Sequence, residues 1–316
     1  MKPSITSAPG SLSRFLFAPL FAITGAALLV APAAVRAQTF YVTNGTQSVS
    51  QVSSGGSVSL FATLTASSNP WGITRDSSGN LYVSKPSSSE ISKITPGGVV
   101  SHFFTLPAGS NPLSLAMDTS NNLYVAHNGS PSNRTIDKIT PGGVITTFAT
   151  MGPSFNPYSV AFDTSGNLYS GGNNGGANNQ IVKITPGGVV SNFASSLAGA
   201  PSSLAVDTGG NVYFNSSSNT ISKVTPGGSV SLFATLPGGS GVLGLTFDDS
   251  GFLYAVGSTS GVISKITSGG SVSTFATGFT DARMIVASPV PEPSSALMLA
   301  IGVGSLLGFR RGKRGA

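Results

Sequence analysis

Short apolar runs alternate with polar turns along most of this chain, and they keep a fixed phase. The runs are rich in Val, Ile, Tyr, Phe and Thr, and the breaks hold Gly, Pro, Asn and Asp, as expected for short β-strands joined by turns. An Ile/Val-x-Lys-Ile/Val-Thr-Pro/Ser-Gly-Gly phrase recurs with a period of about 40 to 45 residues, which predicts a β-propeller. A degenerate copy ends in Gly55-Gly56, and the Gly pairs of the others start at Gly97, Gly142, Gly187, Gly227 and Gly269.

A second phrase runs in phase with the first and contains an Asp, a Gly or Asn, and a Leu/Val-Tyr pair. An Asp carboxylate can accept backbone N–H bonds within a turn, and Gly permits positive φ there. We therefore predict a structural role in turns for these aspartates. They are Asp76, Asp118, Asp163, Asp207 and Asp248.

Each repeat is predicted to form four antiparallel strands, which we letter A to D. In the second repeat these are Trp71 to Thr74, Asn80 to Ser84, Glu90 to Thr95 and Val99 to Leu106. A four-stranded antiparallel unit of this size is typical of a propeller blade. Complete units start near Trp71, Leu113, Tyr158, Ser202 and Leu243.

The two ends of the repeat region predict how the ring closes. The region begins with a B-like strand, Thr39 to Thr43, and ends with a lone A-like strand, about Arg283 to Ser288. Joining them gives a sixth blade built from both ends and leaves no free seam. The predicted fold class is all-β, a six-bladed β-propeller of four-stranded antiparallel blades over residues 38–289.

The repeats resemble those of NHL-type propellers and of streptogramin-lyase-like propellers. The resemblance rests on Asp-x-x-Gly-Asn-Leu-Tyr-Val followed by Ile-x-Lys-Ile-Thr-Pro-Gly-Gly, and it covers nearly all of residues 38–288. It implies the propeller fold. It does not imply one activity, because such folds host binding proteins, lyases and lactonases alike.

Residues 1–37 are predicted to be a secretory signal peptide. Lys2 and Arg14 form a positive n-region, Phe15 to Val30 is apolar and uncharged, and small residues lead up to Ala37. We predict cleavage after Ala37, with Ala33 as a second option. A retained membrane anchor is the alternative interpretation.

Residues 290–316 resemble the PEP-CTERM sorting signal of Gram-negative, exopolysaccharide-producing bacteria. A Pro-Glu-Pro motif precedes an apolar stretch, Ala296 to Phe309, which would form a transmembrane helix of roughly 21 Å, and a basic cluster follows. The resemblance implies recognition by an exosortase-type enzyme, transient anchoring in the inner membrane and delivery to the cell surface or extracellular matrix. A plain C-terminal anchor is the alternative. The sorting residues are Pro291, Glu292, Pro293, Arg310, Arg311, Lys313 and Arg314.

The formal charge of +6 comes from the two ends, because nine basic and nine acidic residues balance between Gln38 and Pro289. No basic face remains that could neutralise phosphates, so nucleic-acid binding is excluded as a function class. The absence of cysteine excludes disulfides and thiolate metal sites.

Few side chains of the predicted propeller suit catalysis. It contains His102, His127 and a single glutamate, Glu90. The resemblance to streptogramin lyases implies His and Glu side chains acting with a divalent metal, and no clustered pair here matches that arrangement. A Ser-His-Asp triad cannot be assembled either. We predict no enzymatic activity, metal or cofactor, and keep a propeller enzyme of the lyase or lactonase kind as the alternative.

The loops from strand B to C and from strand D to A differ between repeats and share one face of the ring. Two aromatic residues on this face, Trp71 and Tyr158, are accompanied by Asn, Ser and Arg and would suit a neutral sugar. The alternative is that these two side chains plug the mouth of the channel. The predicted function is therefore a cell-surface or matrix binding or scaffold protein, with extracellular polysaccharide or a surface protein as partner. The predicted ligand-binding residues are Trp71, His127, Arg134, Tyr158, Asn173, Asn174 and Arg283.

A lysine in strand C accompanies each turn aspartate, and both are missing from the composite blade, where Gln51 replaces the lysine. We therefore predict Asp–Lys ion pairs, each contributing ~0.2–1 kcal/mol if exposed. These structural lysines are Lys93, Lys138, Lys183, Lys223 and Lys265.

Overall fold

The structure, a computed structural model, describes residues 38–66, 68–128, 134–175 and 178–288. Within these ranges the chain forms six four-stranded antiparallel sheets, the blades of a propeller, which confirms the predicted fold class. A 3₁₀ turn at Pro86–Ser88 is the one helical segment there. The predicted signal peptide and sorting tail lie outside the described residues. None of the described helical structure is long or apolar enough to span a bilayer.

The strands follow one another with short connections. In chain order they are β1 (Thr39–Asn44), β2 (Ser48–Val52), β3 (Val58–Thr63), β4 (Ile73–Arg75), β5 (Leu81–Lys85), β6 (Glu90–Ile94), β7 (Val100–Thr105), β8 (Pro112–Met117), β9 (Leu123–His127), β10 (Thr135–Ile139), β11 (Ile145–Thr150), β12 (Phe155–Phe162), β13 (Leu168–Asn174), β14 (Asn179–Ile184), β15 (Val190–Leu197), β16 (Leu204–Val206), β17 (Val212–Asn215), β18 (Thr220–Val224), β19 (Val230–Thr235), β20 (Val242–Phe247), β21 (Leu253–Gly257), β22 (Val262–Ile266), β23 (Val272–Thr277) and β24 (Ala282–Ser288). Blades 2 to 6 take four consecutive strands each, from β4–β7 to β20–β23, whereas blade 1 has the order β24-β1-β2-β3.

Blade 1 closes the ring from both ends of the propeller. Strand β24 supplies its strand A and pairs antiparallel with β1, with Thr39 opposite Ser288 and Phe40 opposite Ala287. The ring of Phe40 packs against Tyr254 of blade 6, with 4.3 Å between ring centroids. The predicted sixth blade is thus confirmed.

The hydrophobic core lies between neighbouring blades. Six clusters of buried side chains are present among the described residues, and each joins two adjacent blades. Period-2 alternation makes this possible, because each sheet presents apolar side chains to the neighbour on either side. Full burial of one such side chain contributes ~1.5–3 kcal/mol, so the packing between blades stabilises the ring.

Antiparallel pairing gives the ring two chemically different faces. The A–B and C–D turns share one face, which we call the turn face. In blade 2 a Cβ added to Gly79 of the A–B turn would lie 3.3 Å from Pro96 of the C–D turn. The B–C and D–A connections form the opposite face, which we call the variable face.

Candidate functional site

Each turn aspartate is held by hydrogen bonds within its own turn. In blade 4, Asp163 Oδ1 accepts the backbone N–H of Asn167 at 2.8 Å, and Oδ2 accepts the Asn167 side-chain amide at 2.8 Å. The hydroxyl of Tyr169 donates to the same Oδ2 at 3.4 Å. The backbone and tyrosine bonds recur in the other four turns. Both carboxylate oxygens are therefore occupied within the protein.

The hydrogen bonds around Asp207 favour its ionised form. Burial of Asp207 disfavours its charge, but donation from Asn211, Tyr213 and Gly209 outweighs that effect, and the pKa of the Asp207 carboxyl lies below its usual value. The aspartate is thus a fixed acceptor of the turn rather than a group waiting for a ligand.

The repeat lysines contact tyrosine rings instead of the turn aspartates. Each Nζ lies 5.5–5.7 Å from the ring centroid of the strand B tyrosine in its own blade. Among the described residues no repeat lysine forms an ion pair with a turn aspartate. The predicted Asp–Lys pairing is therefore wrong. Its physical reason is the register, which places Lys93 directly opposite Tyr82, while the Tyr82 hydroxyl binds Asp76.

The central channel is uncharged and is lined by apolar and hydroxyl side chains. Its cavity of about 220 Å³ is lined by strand A residues of all six blades, and none of these lining side chains is ionisable. The third residue from the predicted start of each strand A lies in the middle layer of the channel. All six of these side chains are buried. These residues are Ile73, Leu115, Val160, Leu204, Leu245 and Ile285.

Six residues, one at the predicted start of each strand A, surround the channel mouth on the variable face. We call these six residues the mouth ring. In blades 3, 4 and 6 the pairing of strands A and B skips the mouth-ring residue, so it forms a β-bulge; in blade 1 the bulge holds Arg283 and Met284. A bulge re-aims the side chain it carries. All six mouth-ring side chains are half-buried: Trp71, Leu113, Tyr158, Ser202, Leu243 and Arg283.

Two predicted ligand residues, Trp71 and Arg283, meet at the mouth ring. The Arg283 guanidinium carbon lies 4.6 Å from the centroid of the Trp71 ring. Arg283 Nη1 donates to Asn69 Oδ1 at 2.6 Å, and Nη2 donates to Asp281 Oδ2 at 2.9 Å. Three neighbours thus fix the guanidinium, which covers one face of the indole.

A second pair of predicted residues, Tyr158 and Asn173, meets in blade 4. The Asn173 side-chain amide donates to the Tyr158 hydroxyl at 2.8 Å and accepts from Asn156 at 3.0 Å. Asn174 is exposed at the end of β13 and donates its backbone N–H to Asn178. Blade 4 therefore presents a phenol and amides in a fixed arrangement.

His127, one of the predicted ligand-binding residues, is buried. Its side chain is 2% exposed, and Nε2 lies 3.1 Å from Asp137 Oδ2, although the angle does not suit a hydrogen bond. Among the described residues, His127 Nδ1, Arg134 Nε and Asp137 Oδ1 are buried and have no hydrogen-bond partner. Blade 3 therefore holds a buried polar cluster next to its B–C connection.

The remaining candidates for catalysis stand apart from this cluster. His102 is exposed on the outer strand β7, where Nε2 lies 2.8 Å from the Thr105 hydroxyl. Glu90 forms an ion pair of 2.6 Å with Lys85, whose charge holds the pKa of the Glu90 carboxyl below its usual value. Within the described residues no three His, Cys, Asp or Glu side chains lie close enough to hold a metal ion.

One feature of the variable face was not predicted. A cleft of about 270 Å³ lies beside Leu243 of the mouth ring, between blades 5 and 6. Its polar lining consists of hydroxyls and one amide, from Asn215, Ser216, Ser217, Ser218 and Ser258. The Ser-Ser-Ser-Asn run in the sequence was the available signal.

Two family profiles match the chain. The profile of the Virginiamycin B lyase family matches residues 129–289, just over half of the chain. The profile of the PEP-CTERM protein-sorting motif matches residues 289–314. A comparison with curated proteins finds no match.

Several solved structures share the fold. Virginiamycin B lyase from Staphylococcus aureus is 20% identical with a TM-score of 0.55, and the alignment covers 81% of this chain and 90% of that one. A chain of a nidogen/laminin complex is 15% identical with a TM-score of 0.70, over 81% and 100% of the two chains. A gluconolactonase from Xanthomonas campestris is 16% identical with a TM-score of 0.58, over 68% and 78%. At these identities the similarity establishes the fold alone.

Proposed function

Since this chain belongs to the virginiamycin B lyase family and carries a PEP-CTERM motif, we propose that it is an exported propeller that binds a partner at the cell surface or in the extracellular matrix. In this proposal the fold supplies a rigid ring and the variable face supplies the contacts. The chain performs no chemistry on its partner.

The sorting motif supports the cellular part of the proposal. The motif implies exosortase-mediated processing and export to the cell envelope. It begins at residue 289, directly after β24, so no folded segment separates it from the ring. We propose that the tail anchors the chain transiently in the inner membrane of a Gram-negative bacterium before the surface or matrix receives the ring.

The channel without ionisable side chains is the observation that carries the non-catalytic part. Lyase chemistry requires groups that move protons, and the described channel lining supplies none. One solved structure of the S. aureus lyase is catalytically inactive because a histidine is replaced by alanine. In this chain both histidines lie elsewhere, His102 on an outer strand and His127 buried against Asp137.

The chemistry of the variable face supports a neutral polysaccharide as partner. Trp71 and Tyr158 offer aromatic surfaces for sugar C–H groups, and Asn173 and the hydroxyl-lined cleft offer hydrogen bonds to sugar hydroxyls. Amides and hydroxyls dominate this face, which favours a partner without charge. Exopolysaccharide of the producing cell fits this description.

A binding measurement tests the proposal. The sorted protein would be titrated with purified exopolysaccharide of its own host, with Tyr158→Ala and Trp71→Ala as variants. We expect each variant to weaken binding roughly tenfold, about 1.4 kcal/mol. Val144→Ser, on the turn face, is the matched control and should bind like the parent. Equal binding by all four proteins, or by none, would contradict a glycan site on the variable face.

The alternative is a propeller enzyme of the lyase or lactonase kind, which is favoured by the family membership and by the gluconolactonase fold relative. Incubation with streptogramin B-type and sugar-lactone substrates, with and without added divalent cations, separates the two functions. Cation-dependent turnover that follows the protein through purification would replace the binding proposal.

A further inference from the structure

Both ends of the propeller leave the ring on its turn face. Strand β24 runs from the mouth ring on the variable face to Ser288, and β1 begins opposite it at Thr39. The Gln38 side-chain amide donates to the Ser288 carbonyl, which holds the two ends together. The sorting tail therefore starts from the turn face, next to the ring axis.

The chain between Ser288 and the apolar stretch is short. Residues 289–295 separate Ser288 from Ala296, and seven extended residues span about 25 Å at most. If the apolar stretch is in a bilayer, the turn face is held within that distance of the lipid headgroups. The variable face is on the far side of the ring.

The rim of the turn face carries exposed apolar tips at the C–D turns of three blades, and strand D of blades 1 and 5 also exposes Val58, Leu60, Val230 and Leu232. The C–D turns of blades 2, 3 and 4 end in valines that are 66%, 60% and 65% exposed, namely Val99, Val144 and Val189. The same position holds serine in blades 1, 5 and 6, namely Ser57, Ser229 and Ser271. Each of the three valines follows a Pro-Gly-Gly turn without a charged residue. Three consecutive blades thus present uncharged apolar tips at the rim of the face from which the tail starts.

We propose that the turn face docks on the lipid bilayer that holds the tail, with Val99, Val144 and Val189 entering the headgroup region. This rests on the proposed function, because it requires a tail in the membrane. Apolar tips without charge insert at an interface at low cost, and the tail supplies the proximity that three valines alone would not. The mouth ring then points away from the membrane, towards the partner.

The absence of cysteine makes the test direct. Single Val144→Cys, Ser271→Cys and Asn174→Cys variants of the tail-bearing protein, from a host without exosortase, would each carry an environment-sensitive fluorophore. They probe the valine side of the turn face, its serine side and the variable face. The protein would be reconstituted into phosphatidylethanolamine–phosphatidylglycerol vesicles, some of which contain a lipid-borne quencher.

We expect the label at position 144 to shift to the blue and to be quenched at least twofold more than the label at 271, with no quenching at 174. Replacing Val99 and Val189 by serine in the Val144→Cys protein should abolish this difference while the protein still floats with the vesicles. Flotation with equal quenching at all three positions would overturn the docking alone. Failure to float would overturn the tail anchoring and the docking with it.

Discussion

The same repeats build the turn face and the variable face, and the two faces use polar groups in opposite ways. On the turn face five blades repeat one set of hydrogen bonds around an aspartate. On the variable face a residue at or just after the end of strand B pairs with a residue of strand C, and the two residue types differ from blade to blade. These pairs are Asn44–Ser50 at 2.9 Å, His127–Asp137 at 3.1 Å and Ser216–Ser222 at 2.8 Å.

This difference between the two faces indicates that the turn face stabilises the fold, whereas the variable face is available for recognition. A saturated turn repeated five times fixes where each blade begins, and any change to it leaves a buried donor or acceptor without a partner. The variable face tolerates substitution at each blade because no common network runs through it. Among the described residues, most buried side-chain atoms without a hydrogen-bond partner, such as His127 Nδ1, lie on this side of the ring, whereas Ser170 Oγ lies in the middle of its blade.

The largest effect on stability is expected from removal of β24, the strand that closes the ring. Truncation before Ala282 removes β24, which exposes the buried side of Phe40 and Val42 and leaves blade 1 with an open edge. We expect the cooperative thermal unfolding transition to be lost, as measured by calorimetry. Truncation after Ser288 is the control and should leave that transition intact. A sharp transition in the shorter protein would show that the ring does not need closure.

A smaller effect is expected from a single turn. Asp163→Ala removes a carboxylate that accepts bonds from Asn167 and Tyr169, and should lower the free energy of unfolding by roughly 2–3 kcal/mol. Asn173→Ala on the variable face of the same blade should change it by about 0.5 kcal/mol or less. Urea unfolding measures both. Equal losses would remove the distinction between the faces.

Alkaline pH should weaken the turn face selectively. Burial, and next the charge of Asp76, raise the pKa of Tyr82 from 10.0 to about 12. Because the folded pKa exceeds the unfolded one, this stabilisation is present below pH 10 and is lost as the pH rises towards 12. Tyr82→Phe should flatten the fall in stability over that interval, and should cost about 0.5–1.5 kcal/mol at neutral pH.

Tyr41 of blade 1 is the matched control for that measurement, because its blade has no turn aspartate. Burial raises the pKa of Tyr41 as well, while Arg75 lowers it. Tyr41→Phe should therefore leave more of the alkaline loss in place. Identical pH profiles for the two variants would show that Asp76 plays no part.

The smallest effect is expected at the repeat lysines. Lys183→Ala removes a cation 5.5 Å from the centroid of the Tyr169 ring and should cost about 0.5–1 kcal/mol. A double-mutant cycle should couple Lys183 to Tyr169 and show almost no coupling to Asp163 in a Tyr169→Phe background. Direct Asp163–Lys183 coupling in that background would restore the ion-pair hypothesis.

Local chemistry explains why the blades could be predicted from the sequence. The turn aspartate and the glycine pair act within a few residues, so their period gives the blades directly. The half-repeat offset between Thr39 and Ser288 then fixes the closure, because an orphan strand A and an orphan strand B have complementary edges.

Pairing register explains what could not be predicted. The bulges that aim Tyr158 and Arg283 depend on which residue of strand A is skipped in its pairing with strand B, and no local motif marks that choice. Asp137 lies across a loop from His127, so their contact needs the register of β9 and β10. The tyrosine between each aspartate and lysine did have a signal, since it always lies six residues after the aspartate.

The bond between Gln38 and Ser288 joins residues 250 positions apart, and this fixes the order of events during folding. Contacts of such sequence separation form late, because the intervening chain must be ordered first. A chain exported from its N-terminus presents β1 to the new compartment early, with one edge unpaired, and β24 last. The ring is completed only when the residues directly before the sorting motif have emerged, so closure of blade 1 is the last step in the folding of such a chain.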